Sequence, residues 1–386
     1  MLKPLNNKKP IALWGAYHFG NTGDELLLLS AIERIKKEFN NFFILSQNEE
    51  LGRCLFPEFE IIQLHWKEVE VKKSLFEKFK SKFINFERNY EIYLNNLLSY
   101  YQNCTKKESL WLKKLLSSEI LYLVGGGYLS DYFNLTPMIF PIFVANKFSI
   151  KISSAPITIG PFKSPNMSEF VANQLKSAEI IARDKKTLEF CITNGIKSIY
   201  KEDEITNIGS INKKLWVSSK NKNIKKNSLF RIGVNINKQV GSKYNSEIAL
   251  STASLIDYIK KNVTNVVFFG FCFFRQESEF ETTAHAFRLN KLPCNLIEPA
   301  SIDFKLNVYR LSHANFIITT RFHAVVLAQV FKIPYVGIWD GEYYEQKMKA
   351  ANIYTNNPGI IVSSVDIKNH HIKSKILELL KNSSMN

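Results

Sequence analysis

The strongest constraint on this chain's fold is a pattern that runs its course twice. Short apolar runs end in glycine or a polar residue and pass directly into segments of helical period. In the first half these runs are 11–15 (IALWG), 41–46 (NFFILS), 120–124 (ILYLV), 155–160 (APITIG) and 178–182 (AEIIA). The second half restarts with 231–236 (RIGVNI), 265–271 (NVVFFGF), 315–319 (NFIIT) and 335–339 (YVGIW). Strands that alternate with helices pair in parallel, because each return to the same sheet edge needs a crossover. The expected fold class is therefore α/β with two Rossmann-like domains. A chain of 386 residues fits that count, since single cores stop growing at about 250–300 residues.

Between the two halves lies 211–229, INKKLWVSSKNKNIKKNSL, whose lysine, asparagine and serine content suits a linker. The domains are accordingly placed at 1–210 and 230–386. Within the first, 67–118 reads as a helical insertion, with Leu75, Phe79, Phe83 and Phe86 on one face. That face either packs on its own domain or meets a membrane surface, because lysines flank it.

Charge narrows the partners less than its size suggests. With 51 Lys and Arg against 35 Asp and Glu, the formal net charge is +16. The basic residues spread over 67–114 and 197–228 as lysines among Asn and Ser, without an arginine-rich tract interleaved with aromatics. The pattern argues for a generally basic surface and against a nucleic-acid groove. Five cysteines, none in a CxxC pair, suggest neither a disulfide framework nor a zinc site. A cytoplasmic protein is expected: the N-terminal apolar run is short and lacks a cleavage-like site, and no apolar run reaches the ~18 residues of a spanning helix.

Several segments at strand ends bear residues suited to chemistry. In 15–25, GAYHFGNTGDE, glycines permit a tight turn and Asn21 or Thr22 can cap the following helix. It is neither a Walker A loop nor GxGxxG. Asp24 and Glu25 disfavour a phosphate nearby and suit the hydroxyls of a sugar, although both also suit a helix N-terminus with no ligand. The three glycines of 124–131, VGGGYLSD, point to a close approach by substrate or to a crowded turn. Arg183 stands at the end of a candidate strand, where open α/β sheets bind ligands; Asp184 beside it would neutralise it. The most informative segment is 319–324, TTRFHA. Arg321 and His323 there follow a strand and open a helix. Arginine offers a fork for carboxylate or phosphate, and histidine can donate a proton near neutrality. The stretch 339–347, WDGEYYEQK, adds Asp340, Glu342 and Lys347.

In order along the chain, GNTGDE at 20–25, GGGYLSD at 125–131, IGPFKS at 159–164, ARDKKTLEF at 182–190, TTRFHAVVLAQVFKIPYVGI at 319–338 and the acidic stretch ending in Lys347 resemble the polysaccharide pyruvyl transferase family. The family's usual Asp-Pro pair before the second domain has no match; Asp203 stands nearest. The resemblance implies a GT-B-like pair of Rossmann domains facing a cleft. It implies phosphoenolpyruvate as donor substrate, with no cofactor and no metal, and a sugar or glycan as acceptor. On these positions Arg183, Arg321, Lys347, Gly126 and Gly127 would hold the donor, and His323 would be the general acid. Asn21, Asp24 and Glu25 would face the acceptor or the cleft. A lipid-linked acceptor would suit the basic insertion and peripheral contact with the inner membrane face. The competing expectation is a nucleotide-sugar glycosyltransferase of the same architecture, with Asp340 or Glu342 on a ribose.

Overall fold

The computed structural model describes residues 9–15, 19–65, 86–207, 229–237, 245–275, 277–351 and 359–384. They form two compact units, Met1–Phe19 with Leu27–Glu204, and Gly20–Leu26 with Ile205–Asn386. The division thus falls at 204/205, a few residues before the expected 210. The linker-like 211–228 lies outside the described residues, as do 67–85 of the insertion with Leu75, Phe79 and Phe83.

The first unit is built on eight strands: β1 (Ile11–Trp14), β2 (Phe42–Ser46), β3 (Ile61–Gln63), β4 (Ile120–Leu123), β5 (Gly126–Leu129), β6 (Lys151–Ile159), β7 (Glu179–Ala182) and β8 (Lys197–Tyr200). Their order is β3-β2-β1-β4-β6-β7-β8, with β5 paired to β6, and every pairing is parallel. In β1 every residue is buried, which follows from helices covering both faces of a parallel sheet. The helix Thr136–Lys147 is apolar nearly all round and is buried from Pro137 to Ala145, as expected of a helix inside a core.

The described part of the insertion packs on its own unit. Helix Phe86–Asn103 places Tyr90, Leu94, Leu97, Leu98 and Tyr101 on one stripe, and Leu110–Leu116 adds Trp111, Leu112 and Leu115. Tyr101 meets Trp111 edge-on at 5.1 Å and Phe140 at 5.9 Å. Each such side chain withdrawn from water stabilises the unit by about 1.5–3 kcal/mol.

The second unit carries six parallel strands: β9 (Phe230–Asn235), β10 (Val266–Phe271), β11 (Ile297–Glu298), β12 (Phe316–Thr319), β13 (Tyr335–Trp339) and β14 (Gly359–Ser363). Their order, β11-β10-β9-β12-β13-β14, is the Rossmann order 3-2-1-4-5-6. The direction of winding reverses between β9 and β12, whose last residues, Asn235 and Thr319, lie opposite each other. Open α/β sheets bind ligands beyond the carboxyl ends of strands at such a reversal. No helix among the described residues is long and apolar enough to cross a membrane.

Candidate active site

Arg321 and His323 stand at that reversal point of the second unit. Thr319 closes β12, and its Oγ1 accepts the Arg321 amide at 3.0 Å. Arg321 is then extended (φ −99°, ψ 127°) as the residue before helix Phe322–Val330, and it contributes no side-chain cap. The helix is short and buried along its whole length, so its first turn is fixed by packing rather than by capping. The Arg321 side chain is 17% exposed and pairs through Nε with Glu279 Oε1 at 2.8 Å. Its Cζ lies 5.2 Å from the centre of the Phe274 ring. Its Nη2 is buried and finds no hydrogen-bond partner among the described residues. A buried guanidinium nitrogen without an acceptor costs free energy that a bound anion recovers.

Glu279, which sequence reasoning did not single out, is fully buried and uses both oxygens. Oε1 accepts from Arg321 Nε and from Asn235 Nδ2 at 3.0 Å. Oε2 accepts the amides of Phe273 and Phe274 at 2.8 and 2.5 Å. Asn235 in turn donates to Phe271 O at 2.7 Å and accepts from Thr319 Oγ1 at 3.1 Å. The ends of β9, β10 and β12 are thereby joined in one buried polar network. Nothing in the run QESEFET distinguishes Glu279 from Glu277 or Glu281. Only the tertiary structure selects it.

The turn Gly20–Glu25 groups with this unit. Thr22 N donates to Phe273 O and Arg275 N to Gly20 O, both at 2.9 Å, and Thr22 Oγ1 accepts from Asn307 Nδ2 at 2.9 Å. Helix Thr22–Ile35 begins here. At Gly23 the reason for glycine is direct: a Cβ built on it would lie 1.8 Å from His323 Nδ1 and 2.4 Å from Cγ. The Nδ1 side of the imidazole therefore lies against bare backbone, with the Phe322 ring edge-on at 5.1 Å. The loop, equally a turn or a ligand cradle by sequence, is a seat for His323.

Of the residues expected to face the acceptor, Asn21 and Asp24 are half-buried and bonded to each other, Nδ2 to Oδ2 at 2.9 Å, while Asn21 Oδ1 accepts the Gly23 amide. Glu25 is instead fully buried, with Oε1 2.9 Å from Arg275 Nη2. Arg275 is itself held by the carbonyls of Ser301 and Ile302. Burial pushes the Glu25 carboxyl up to about 7; the Arg275 charge pulls it down, and Asp24 and Asp303 push it up further. Glu25 sits where no sugar reaches it in this arrangement. Lys347, on helix Glu342–Ala351, places Nζ 5.8 Å from the Phe322 ring centre and 5.5 Å from that of Tyr343. It therefore joins the surroundings of His323. Burial raises the Asp340 carboxyl, whereas Glu342 is exposed.

Three expected donor residues belong to the first unit. Arg183, at the end of β7, is 1% exposed and pairs with Asp203 at 2.7 Å. Its Nε and Nη2 both donate to Thr158 Oγ1, at 3.1 and 3.0 Å. The neutralising partner is thus Asp203 and not Asp184, which caps helix Lys185–Thr193 and accepts from Thr158. Arg183 ties β6 to the segment after β8 and has no open face toward solvent. Gly126 opens β5 with φ +144°, a conformation side chains rarely adopt, and Gly127 is half-buried behind it. Four residues on, the Asp131 carboxylate accepts the amides of Lys163 and Ser164. The GGGYLSD and IGPFKS segments are therefore neighbours.

Among solved structures, the chain is similar to UDP-GlcNAc 2-epimerase from Neisseria meningitidis bound to UDP-GlcNAc, at 12% identity over 98% of this chain and 94% of that one, with a TM-score of 0.55. It is similar to the S. aureus MnaA–UDP co-structure at 11% identity, 98% and 90% coverage and a TM-score of 0.58. Anabaena Alr3699/HepE in complex with UDP and glucose gives 10%, 98%, 94% and 0.53. At such identities the likeness is one of fold, the GT-B kind with two parallel-sheet α/β domains. No curated protein sequence matches the chain. The family model that does match, polysaccharide pyruvyl transferase, covers residues 21–341. That span runs from Asn21 at the His323 seat through Glu279 and Arg321 to just past β13, leaving Glu342 and Lys347 outside, and on it this chain belongs to the polysaccharide pyruvyl transferase family.

Proposed function

We propose that the protein transfers the pyruvyl group of phosphoenolpyruvate to a sugar of a polysaccharide precursor, as a ketal, with release of phosphate. The observation that carries this reading is the pairing of an unsatisfied Arg321 Nη2 with an imidazole seated on Gly23, two residues apart at the reversal point of one sheet. Phosphoenolpyruvate brings about two negative charges on its phosphate and one on its carboxylate. Arg321 supplies a charge-assisted donor for one of those groups, and Lys347 adds a positive charge over the Phe322 ring.

In this reading His323, protonated, gives its proton to the methylene carbon of the donor. The double-bond electrons form the new C–H bond and leave an oxocarbenium centre at the adjacent carbon. A sugar hydroxyl attacks that centre and gives up its proton, which returns His323 to its charged form. The carbon–oxygen bond to phosphate then breaks, and a second hydroxyl closes the ketal as phosphate carries away the remaining proton. Arg321 favours the charge that develops on the departing phosphate. Asn21 and Asp24 are the acceptor-facing groups.

The test is thermal stabilisation by millimolar phosphoenolpyruvate, beside UDP, on wild type and Arg321→Ala. A ligand present at 100 times its Kd stabilises by about 2.7 kcal/mol. The expected result is a rise in Tm with phosphoenolpyruvate that vanishes in the variant. A rise with UDP alone would replace this reading by a nucleotide-sugar transferase.

A further inference from the structure

Arg321 has three nitrogens to offer, and the fold has already decided which of them a ligand meets. We infer that Glu279 is a positioning residue for the donor. It takes Arg321 Nε and leaves the buried Nη2 without a protein acceptor, and it ties that arginine to the loop on which the His323 seat is docked. This rests on the assignment of Arg321 to donor binding.

The geometry of Glu279 is that of an acceptor filled to capacity. Its two oxygens receive four N–H donors, from Arg321, Asn235, Phe273 and Phe274. Such a carboxylate has no freedom to rotate, and among the described residues its ion-pair partner is Arg321. Each donor belongs to a different part of the site. Asn235 is the end of β9. Phe273 and Phe274 form the segment after β10, which presents Phe274 as the face under the guanidinium. The same segment bonds the Gly20–Thr22 backbone that carries Gly23 beneath His323. Glu279 therefore fixes Arg321 directly and shares the Phe273–Phe274 segment with the Gly20–Thr22 backbone. A bidentate fork would occupy both Nε and Nη2. Here the second carboxylate oxygen goes to backbone amides instead, and Nη2 remains open.

Glu279→Gln is the informative change because it preserves shape and removes capacity. A carboxamide has one acceptor oxygen and one NH2 group, so at least one of the four donors then faces another donor. The expected result is a fall of about 10- to 100-fold in kcat/KM for phosphoenolpyruvate. In an Arg321→Ala background the same change should add less than about twofold, because the residue acts through Arg321. A general loosening of the unit would instead add fully in both backgrounds, and that outcome overturns the inference. A second readout is independent of the donor. In nitrogen-15 spectra the Arg321 Nε–H signal, assigned by its loss in Arg321→Ala, should exchange slowly with water in wild type and rapidly in Glu279→Gln. An unchanged signal overturns the inference. If wild type shows no saturable dependence on phosphoenolpyruvate, the donor reading fails and the Nε–H comparison decides the positioning by itself. If Glu279→Gln does not fold, the wild-type signal decides: a rapidly exchanging Arg321 Nε–H is incompatible with the role.

Discussion

Gly23→Ala puts the seat of His323 to a quantitative test. The added carbon would stand 1.8 Å from Nδ1, 2.4 Å from Cγ and 2.8 Å from Cε1, where ordinary contact begins at 3.4 Å. The ring must therefore withdraw by about 1.6 Å, the difference between 3.4 and 1.8 Å, or the helix start must lift by as much. Stability and chemistry should respond very differently. Alanine is about 1 kcal/mol better than glycine inside a helix, and overpacking a buried contact costs about 1–3 kcal/mol. The net loss is then about 0–2 kcal/mol, a few degrees of Tm at most for a chain of this size. A misplacement of 1 Å in a catalytic group can cost about 100-fold in rate. We expect kcat, followed as phosphate released from saturating phosphoenolpyruvate with a hexosyl acceptor, to fall by about 100-fold or more, while Tm barely moves. Gly20→Ala is the control, since its new carbon meets nothing closer than Phe274 Cε2 at 3.8 Å, and it should turn over like wild type. If Gly23→Ala keeps kcat within about threefold of wild type, the Gly23 seat is not what orients the imidazole.

Two further outcomes follow from the buried charges. Burial holds the Glu25 carboxyl up to about 7 from 4.5, so the folded chain keeps a proton that the unfolded chain releases. The stability this confers is complete below pH 4.5 and is lost as pH rises through about 7, on the order of 3 kcal/mol. Denaturant titrations of wild type and Glu25→Gln should therefore converge or cross over that window, against wild type, and run parallel above it; a constant difference would show a carboxyl that ionises normally. Asp203→Asn leaves the Arg183 guanidinium, 1% exposed, without its counter-charge and should cost about 3–5 kcal/mol, read as a lower denaturation midpoint at unchanged slope. A change below about 1 kcal/mol would show that water reaches Arg183 after all.

The placement of Arg321 and His323 between a strand end and a helix was legible in the sequence because its signal is local. An apolar run followed at once by Arg, an aromatic and His, and then by a second apolar run, is a strand end feeding a helix. Strand ends of that kind are where this class of sheet binds ligands. The same locality explains two of the five strands that were missed. β8 is an edge strand with Ile199 and Tyr200 exposed, so KSIY lacks the apolar run that marked the central strands. β14 follows a segment outside the described residues, and its first three positions are only half-buried. Arg183 was read correctly as a strand-end residue and incorrectly paired. A neighbour in sequence, Asp184, looked like its counter-charge, whereas the chain brings Asp203 to it across 20 positions.

The site's precision lies in contacts that no local pattern encodes. Thr22 meets Asn307 across 285 positions, and Glu25 meets Arg275 across 250. The glycine in GNTGDE therefore cannot be explained within GNTGDE. A tight turn would account for Gly20 or Gly23 equally well, yet only Gly23 has an imidazole where its side chain would be. Glu279 is the extreme case, a glutamate among glutamates on one helix, chosen by four donors that come from β9, β12 and the end of β10. A buried carboxylate at a helix start would be a costly ornament if it served stability alone, because an apolar residue of like volume does that as well or better. What an apolar residue could not do is hold a guanidinium by one nitrogen and leave another open. In the proposed reading the chemistry is announced by Arg321 and His323, and its geometry is set by residues, Gly23 and Glu279, that carry no chemical signature of their own.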